Sequence, residues 1–349
     1  MISLAARIDQ ICESVDRLIS TEFDARPEGS RGKMLLLYDA ARKQSPKPLV
    51  QAAAEVLIAA ARGRGPVLVS SGWVIDFWYP RGEICGMIGA GALARAITRG
   101  LKTKVCFLGE DAVLPVFDAI CNAAGMRVYP SDALQNLSQV VAAQSFPVDA
   151  EAARAATAKL LDVLRPSAII TIEKCSPNAK GVYHTGRGTD MSGTTAKVGI
   201  LLEEARRRGI LTIGIGDLGN ELGFGNIRDA VEEHIPFGSD CGCGCGGGIA
   251  SDVKTDHLIV ASSSNRGGYG LEAAVATILG NPSVMHDGDM DQQMIRAACQ
   301  AGAVDSFTVG PTATDGHGTD MHYSACLVEL LRQLVLSRDV EFDMYEART

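Results

Sequence analysis

Ile210-Leu211-Thr212-Ile213-Gly214-Ile215 is a short apolar run that leads directly into Gly216-Asp217-Leu218-Gly219-Asn220-Glu221-Leu222-Gly223-Phe224-Gly225-Asn226. Four Ile and Leu residues, interrupted by Thr212 and Gly214 and bounded by glycine, read as a strand buried on both faces. Before it, residues 194–208 carry helical spacing and stop at Gly209, a residue suited to the left-handed turn that ends helices. The unit repeats along the chain. Ser167-Ala168-Ile169-Ile170-Thr171-Ile172 follows a helix over 151–164, and Pro66-Val67-Leu68-Val69-Ser70 opens the series. Strands over 104–108 and 256–262 alternate with helices over 89–99, 112–124 and 270–279, and two further helices cover 290–301 and 321–336. This order predicts an α/β fold: a mostly parallel sheet covered by helices on both faces.

Upstream the pattern is different. Leu4, Ile8, Ile11, Val15, Leu18 and Ile19 recur at three- and four-residue spacing, which is the stripe of an amphipathic helix. Helices over 33–43 and 48–61 follow, with Pro48 at a first-turn position. The expected division is a helical N-terminal section, 1–65, and an α/β domain, 66–349.

The chain has 349 residues, 46% hydrophobic and 21% charged, with 38 Gly and only 5% aromatics. That composition excludes a disordered tail and a collagen-like fibre. Thirty-three Lys and Arg stand against 41 Asp and Glu, for a net charge of −8. The basic clusters, Arg206-Arg207-Arg208 and Arg62/Arg64, fall at helix ends, so no basic stripe points to nucleic acid. No run approaches the ~18 apolar residues that would span a membrane. Met1 to Glu13 lacks the apolar stretch of a signal peptide, and most of the Cys outside the 241–245 loop (Cys12, Cys106, Cys121, Cys299 and Cys326) fall singly in apolar segments. A reducing, cytoplasmic location is the expectation. The expected partner is a small-molecule substrate, and the N-terminal helices offer a surface for a second copy, hence a homodimer.

Ligands of open parallel sheets bind beyond the carboxyl ends of the strands. There the chain places Asp217 and Glu221, four apart. A helix starting near Leu218 would set both carboxylates on one side of its first turn, with free N–H groups to receive an anion. Such carboxylates act as base and acid, or hold a divalent cation such as Mn²⁺ or Mg²⁺. The alternative is a glycine-rich turn with Asp217 as a cap. Ser264-Asn265-Arg266-Gly267-Gly268-Tyr269 reads either as an anion-binding turn ahead of a helix or as an ordinary capped loop. Neither a Walker loop nor a strand leading into GxGxxG is present, which argues against nucleotide, nicotinamide and flavin chemistry. HExxH and GxSxG are absent too. Cys241-Gly242-Cys243-Gly244-Cys245 suits a soft metal or a thiol relay, but no second CxxC-type pair completes a zinc set, so it reads as a glycine-rich loop with incidental thiols. His317 and His322, beside Asp315 and Asp320, read as a solvated helix start.

The stretch Gly216–Asn226 resembles the GDGGNEIGMGN motif of the D-glutamate cyclase-like C-terminal domain family. Glu173, Gly181, Tyr183 and Arg187 line up with a second family stretch, and Ser264-Asn265-Arg266-Gly267-Gly268-Tyr269 with SNWGGY. Glu83 and Gly86 correspond weakly to ETDG, and Thr314-Asp315-Gly316 to a late VDG. The sequence departs from the pattern at Cys85 (Asp in the family), Lys174 (Arg), Lys180 (Asp), His184-Thr185 (Tyr-Asn) and Arg266 (Trp). Where these line the pocket, they would reshape the substrate it takes.

The resemblance implies a hydro-lyase that closes D-glutamate, or a close analogue, to 5-oxo-D-proline and water. Asp217, Glu221 and Glu173 are then the catalytic candidates, with Glu173 meeting the ammonium. Arg187, Asn220, Ser264, Asn265 and Tyr269 are the substrate-binding candidates. Two other readings compete: a metal-assisted hydrolase that opens a small lactam, lactone or cyclic amide, and a binding protein without turnover.

Overall fold

The computed structural model describes residues 3–23, 29–63, 65–307 and 314–339, so Arg64 lies outside the described residues. Seven strands form one sheet: β1 (Val67–Ser70), β2 (Val105–Gly109), β3 (Val128–Pro130), β4 (Val141–Ser145), β5 (Ala168–Ile172), β6 (Leu211–Gly216) and β7 (His257–Val260). Their order is β3-β4-β2-β1-β5-β6-β7, and every pairing is parallel. The helices are α1 (Leu4–Ser20), α2 (Met34–Arg42), α3 (Leu49–Ala60), α4 (Met87–Gly100), α5 (Leu114–Ala123), α6 (Ala150–Leu164), α7 (Val198–Arg207), α8 (Arg228–His234), α9 (Ser264–Leu279), α10 (Gly288–Gln300) and α11 (Met321–Leu336).

Successive strand residues point to opposite faces, so the apolar runs divide between two cores. Val67, Val69, Val105, Phe107, Ile170 and Ile172 pack on one face with residues of α1, α3, α4, α5 and α9. Leu68, Cys106, Leu108 and Ile169 pack on the other with Leu160 and Leu161 of α6 and Leu201 and Leu202 of α7. This two-sided burial is why the central strands are apolar at most positions. The stripe of α1 is used as its spacing predicts: Ile11, Val15 and Ile19 are buried, and the helix lies on α9. Helix α4 crosses α9 where Gly89 meets Gly268. A Cβ on Gly268 would sit 2.9 Å from the Gly89 Cα, so a side chain here would push the helices apart.

The chain winds outward from β1 to β2 and the β3–β4 edge, then returns to the other side of β1 as β5. The β1–β2 crossover runs through α4 on one face and the β5–β6 crossover through α7 on the other. Helices leaving in opposite directions open a crevice at the carboxyl ends of β1 and β5, the switch point of doubly wound sheets.

Three local expectations are corrected. Strands β3 and β4 are additional; β3 has three residues and ends at Pro130 on the sheet edge. Residues 218–224 form bends and isolated bridges rather than a helix. Residues Ser264 to Tyr269 are already the first turns of α9 rather than a loop ahead of it.

Candidate active site

The residue after β5 is Glu173 and the residue after β6 is Asp217, so the sheet brings their side chains to one end of the molecule. Glu173 has φ of +49°, a left-handed conformation that costs a non-glycine residue energy and marks places where geometry serves function. Its N–H donates to the Ile215 carbonyl at 3.0 Å, which locks the turn to β6. Its Oε2 accepts the Ser264 hydroxyl at 2.5 Å. Asp217 Oδ2 accepts the Ser264 N–H at 3.0 Å and lies 3.3 Å from His317 Nε2. The positive end of α9 therefore faces Asp217, a protein carboxylate standing where a ligand anion was expected.

Glu221 has a different task. Its carboxylate turns back and accepts the N–H groups of Asp217 at 3.0 Å, Leu218 at 2.9 Å and Gly219 at 2.7 Å. The backbone nest predicted for a substrate anion is thus filled by the side chain four residues on. Cys85 completes the cluster, with Sγ 3.6 Å from Glu173 Oε2 and 3.7 Å from Asp217 Oδ2.

Glu83 is buried and lines the same cavity, and its Oε1 has no hydrogen-bond partner. The cavity measures about 130 Å³. Glu83, Glu173, Asp217 and His317 form its polar part, while Trp73, Ile75, Trp78, Tyr79, Leu218 and Phe307 supply apolar walls. Arg187, exposed, joins Thr185 and Thr189 in its lining.

The electrostatics follow from burial. Desolvation pushes the Glu173 carboxyl well above its ordinary 4.5, and the neighbouring charges of Asp217, Glu221 and Glu83 push it further. Glu83 rises to about 8 through burial, against the lowering pull of His317. Glu221 rises to about 7, because burial and Asp217 outweigh its three N–H donors. The Cys85 thiol is driven well above 9.0 by burial and then by Glu173 and Asp217, so at neutral pH it is an uncharged thiol rather than a nucleophile. Among the described residues, none of Glu83, Glu173, Asp217 or Glu221 forms an ion pair with Lys or Arg. The site can hold a protonated carboxylic acid beside an acceptor, and its net field favours a cationic guest. Two groups of side chains lie close enough to share a metal ion: Glu173 with Asp217 and Glu221, and Cys85 with Asp217 and His317.

The structure separates the predicted site residues. Glu173, Asp217 and Arg187 line the cavity; Glu221 and Ser264 touch those that do. Asn220, Asn265 and Tyr269, expected to bind substrate, lie outside its lining. Asn220 Nδ2 donates to the His184 carbonyl, and Asn265 donates to the Asp315 carbonyl and accepts from the Gly89 N–H. The Tyr269 hydroxyl donates to Asp291 at 2.7 Å in the interior.

His317 is buried against Asp217 instead of solvated at a helix start. Its polar neighbourhood, Asp315-Gly316-His317-Gly318, gave no burial signal. Lys174 and Arg266 likewise do not enter the cavity. Lys174 pairs with Glu110 at 2.6 Å and Arg266 with Asp315 at 2.9 Å.

A profile of the "D-glutamate cyclase-like, C-terminal" family matches residues 16–331. The human "D-glutamate cyclase, mitochondrial" is 30% identical over 213 residues, which cover 60% of this chain and 32% of that protein. The chain thus matches about a third of the length of its curated relative. With a profile match over most of its length and the motif residues gathered in one crevice, the chain belongs to the D-glutamate cyclase-like, C-terminal family.

Proposed function

We propose that the chain is a cyclase-type lyase that closes D-glutamate, or an amino diacid of the same shape, to 5-oxo-D-proline with release of water. The supporting observation is the buried set of carboxylates without a Lys or Arg partner, lining a small cavity with an arginine in its wall. Arg187 takes the α-carboxylate. The ammonium and the side-chain carboxyl then reach Glu83, Glu173 and Asp217, where negative charge without a Lys or Arg partner receives the ammonium.

Ring closure forms a C–N bond and breaks a C–O bond. The ammonium gives up two protons, and the departing oxygen leaves with two as water. Asp217, steadied by the Ser264 N–H and His317, accepts a proton from the ammonium so that nitrogen can attack. Glu173, kept protonated by burial and held by Ser264, delivers a proton to the departing oxygen; the second nitrogen proton then passes to Glu173 while Asp217 gives its own to that oxygen, which restores both carboxyls. Glu221 fixes the 217–219 backbone and hence the aim of Asp217. The apolar walls limit water, which favours condensation chemistry at this end of the cavity.

Glu173, Asp217 and Glu221 also form a hard-oxygen donor set that fits Mn²⁺ or Mg²⁺, whose charge would offset their mutual repulsion and polarise a substrate carboxylate. The test incubates the full chain with D- and L-glutamate and both 5-oxoprolines, in chelator and in Mn²⁺, followed by chiral mass spectrometry. Conversion of the D enantiomers alone, absent in Asp217→Asn, supports the reading. Opening of the lactam without closure of glutamate would favour a hydrolase, and saturable binding without turnover would end the enzyme reading.

A further inference from the structure

His184 stands 57 residues before Cys241 in the sequence, yet the fold brings its ring onto the cysteine loop. His184 Nε2 lies 3.3 Å from Cys243 Sγ and 3.8 Å from Cys245 Sγ. Cys241 Sγ lies 3.0 Å from Cys243 Sγ and 3.5 Å from Cys245 Sγ. All four ligand atoms fall within 4.8 Å of one another, and all three cysteines are free thiols. A tetrahedral zinc ion bound at ~2.3 Å to sulfur and ~2.0 Å to nitrogen sets its ligand atoms about 3.5–3.8 Å apart, the spacing this cluster approaches.

We propose that His184, Cys241, Cys243 and Cys245 form a closed, four-ligand structural zinc site. The missing fourth ligand, which made the glycine-rich thiols look incidental, comes from a distant segment. The surroundings suit thiolates: Asn178 Nδ2 donates toward Cys245 Sγ at 3.5 Å and to the Gly248 carbonyl at 2.7 Å, and the Cys243 N–H donates to Cys241 Sγ at 3.4 Å. Three sulfurs and one imidazole select a soft or borderline cation over Mg²⁺ or Mn²⁺, so this site and the acidic crevice differ in metal class. Four protein ligands leave no open position, which makes the site structural rather than catalytic.

Its place in the fold gives it a task. The His184 carbonyl accepts Asn220 Nδ2 at 2.8 Å, tying the ligand to the loop that carries Glu221. Gly188 lies so close to the cysteine loop that a Cβ there would meet the Cys241 carbonyl oxygen at 2.2 Å. Thr185 and Arg187, between these two anchors, line the cavity. The metal therefore staples the Arg187 segment to residues 241–245 and holds one wall of the pocket.

The test measures metal content of the full chain, purified in reductant without chelator, by plasma mass spectrometry. It then follows the visible spectrum when the stripped protein is titrated with Co²⁺. The expected result is one zinc per chain and intense tetrahedral cobalt bands with a thiolate charge-transfer band. Both are lost in Cys243→Ser and Cys241→Ser and kept in Asp217→Asn. Because the cobalt spectrum is read on the unaltered chain, a variant that fails to fold does not decide the matter. Weak octahedral cobalt absorption, a metal that follows Asp217 instead of the cysteines, or a metal-free protein carrying a disulfide within the loop overturns the proposal.

Discussion

Buried carboxylates occur in two settings in this protein, and what differs is the partner. Glu110, Asp315 and Glu272 are buried against Lys174, Arg266 and His286, at 2.6, 2.9 and 2.6 Å. Glu83, Glu173, Asp217 and Glu221 are buried as deeply, yet among the described residues none is paired with Lys or Arg, and the four acids share a single histidine, His317, at 3.3 Å from Asp217. A buried pair satisfies its own charge and holds its elements together: Glu110 also accepts the Ala196 N–H, and Lys174 also donates to the Gly72 carbonyl. A cluster of four acids beside one histidine keeps its protons or waits for a cation to arrive. Two family departures, Lys174 and Arg266, fall in the first setting and lie outside the cavity lining. Cys85 falls in the second.

The comparison breaks most sharply through Glu173 and Lys174, neighbours in sequence with opposite settings. Glu173→Gln keeps the shape but has no proton to give, so turnover should fall about 10²- to 10⁴-fold. Its melting temperature should hold or rise, since one member of a mutually repelling set is gone. Lys174→Met should do the reverse to stability. It strands Glu110 without its cation at a cost of about 3–5 kcal/mol, read as a lower denaturant midpoint. Equal effects of both changes on stability would dissolve the distinction.

Arg187→Lys tests the cavity wall. A point charge replaces a planar fork, so KM should rise about three- to tenfold with kcat little changed. A fall in kcat with constant KM would place Arg187 in the chemistry instead.

A further expected effect is on pH dependence. An unfolded Glu83 loses its proton near the ordinary 4.5, while the folded residue keeps it to about 8. The folded state therefore binds more protons in that window, and stability is present below about 4.5 and lost as pH rises through about 8. Glu83→Gln should flatten this decline, measured as urea midpoints at about pH 5 and about pH 9 in chelator. An unchanged slope would mean that Glu83 does not retain its proton in the fold.

The central fold was legible because a two-sided sheet leaves a continuous apolar run, as in Val67-Leu68-Val69 and Ile169-Ile170-Thr171-Ile172. The edge was not. Val128-Tyr129-Pro130 is half exposed and ends in proline, and Val141–Ser145 loses its burial toward its end, so neither carries that signature. Asp217 and Glu173 were legible as acidic residues at strand ends. The work of Glu221 was not, because spacing on an assumed helix gives no hint that a side chain folds back onto its own backbone. Asn265 and Tyr269 share the first turns of α9 with Ser264, but helical geometry turns their side chains to other neighbours. His184 and His317 needed the tertiary fold, since their partners lie far along the chain.

The central claim is that the acid cluster expels a carboxylate oxygen as water while closing a D-configured ring. D-glutamate labelled with ¹⁸O on both side-chain oxygens tests it directly, in wild type beside Asp217→Asn. The account predicts 5-oxo-D-proline retaining one label, with the other in water, and no product above the uncatalysed rate in the variant. Equal rates in the two proteins, or a folded wild type that leaves D-glutamate untouched both in chelator and with Mn²⁺, would contradict it.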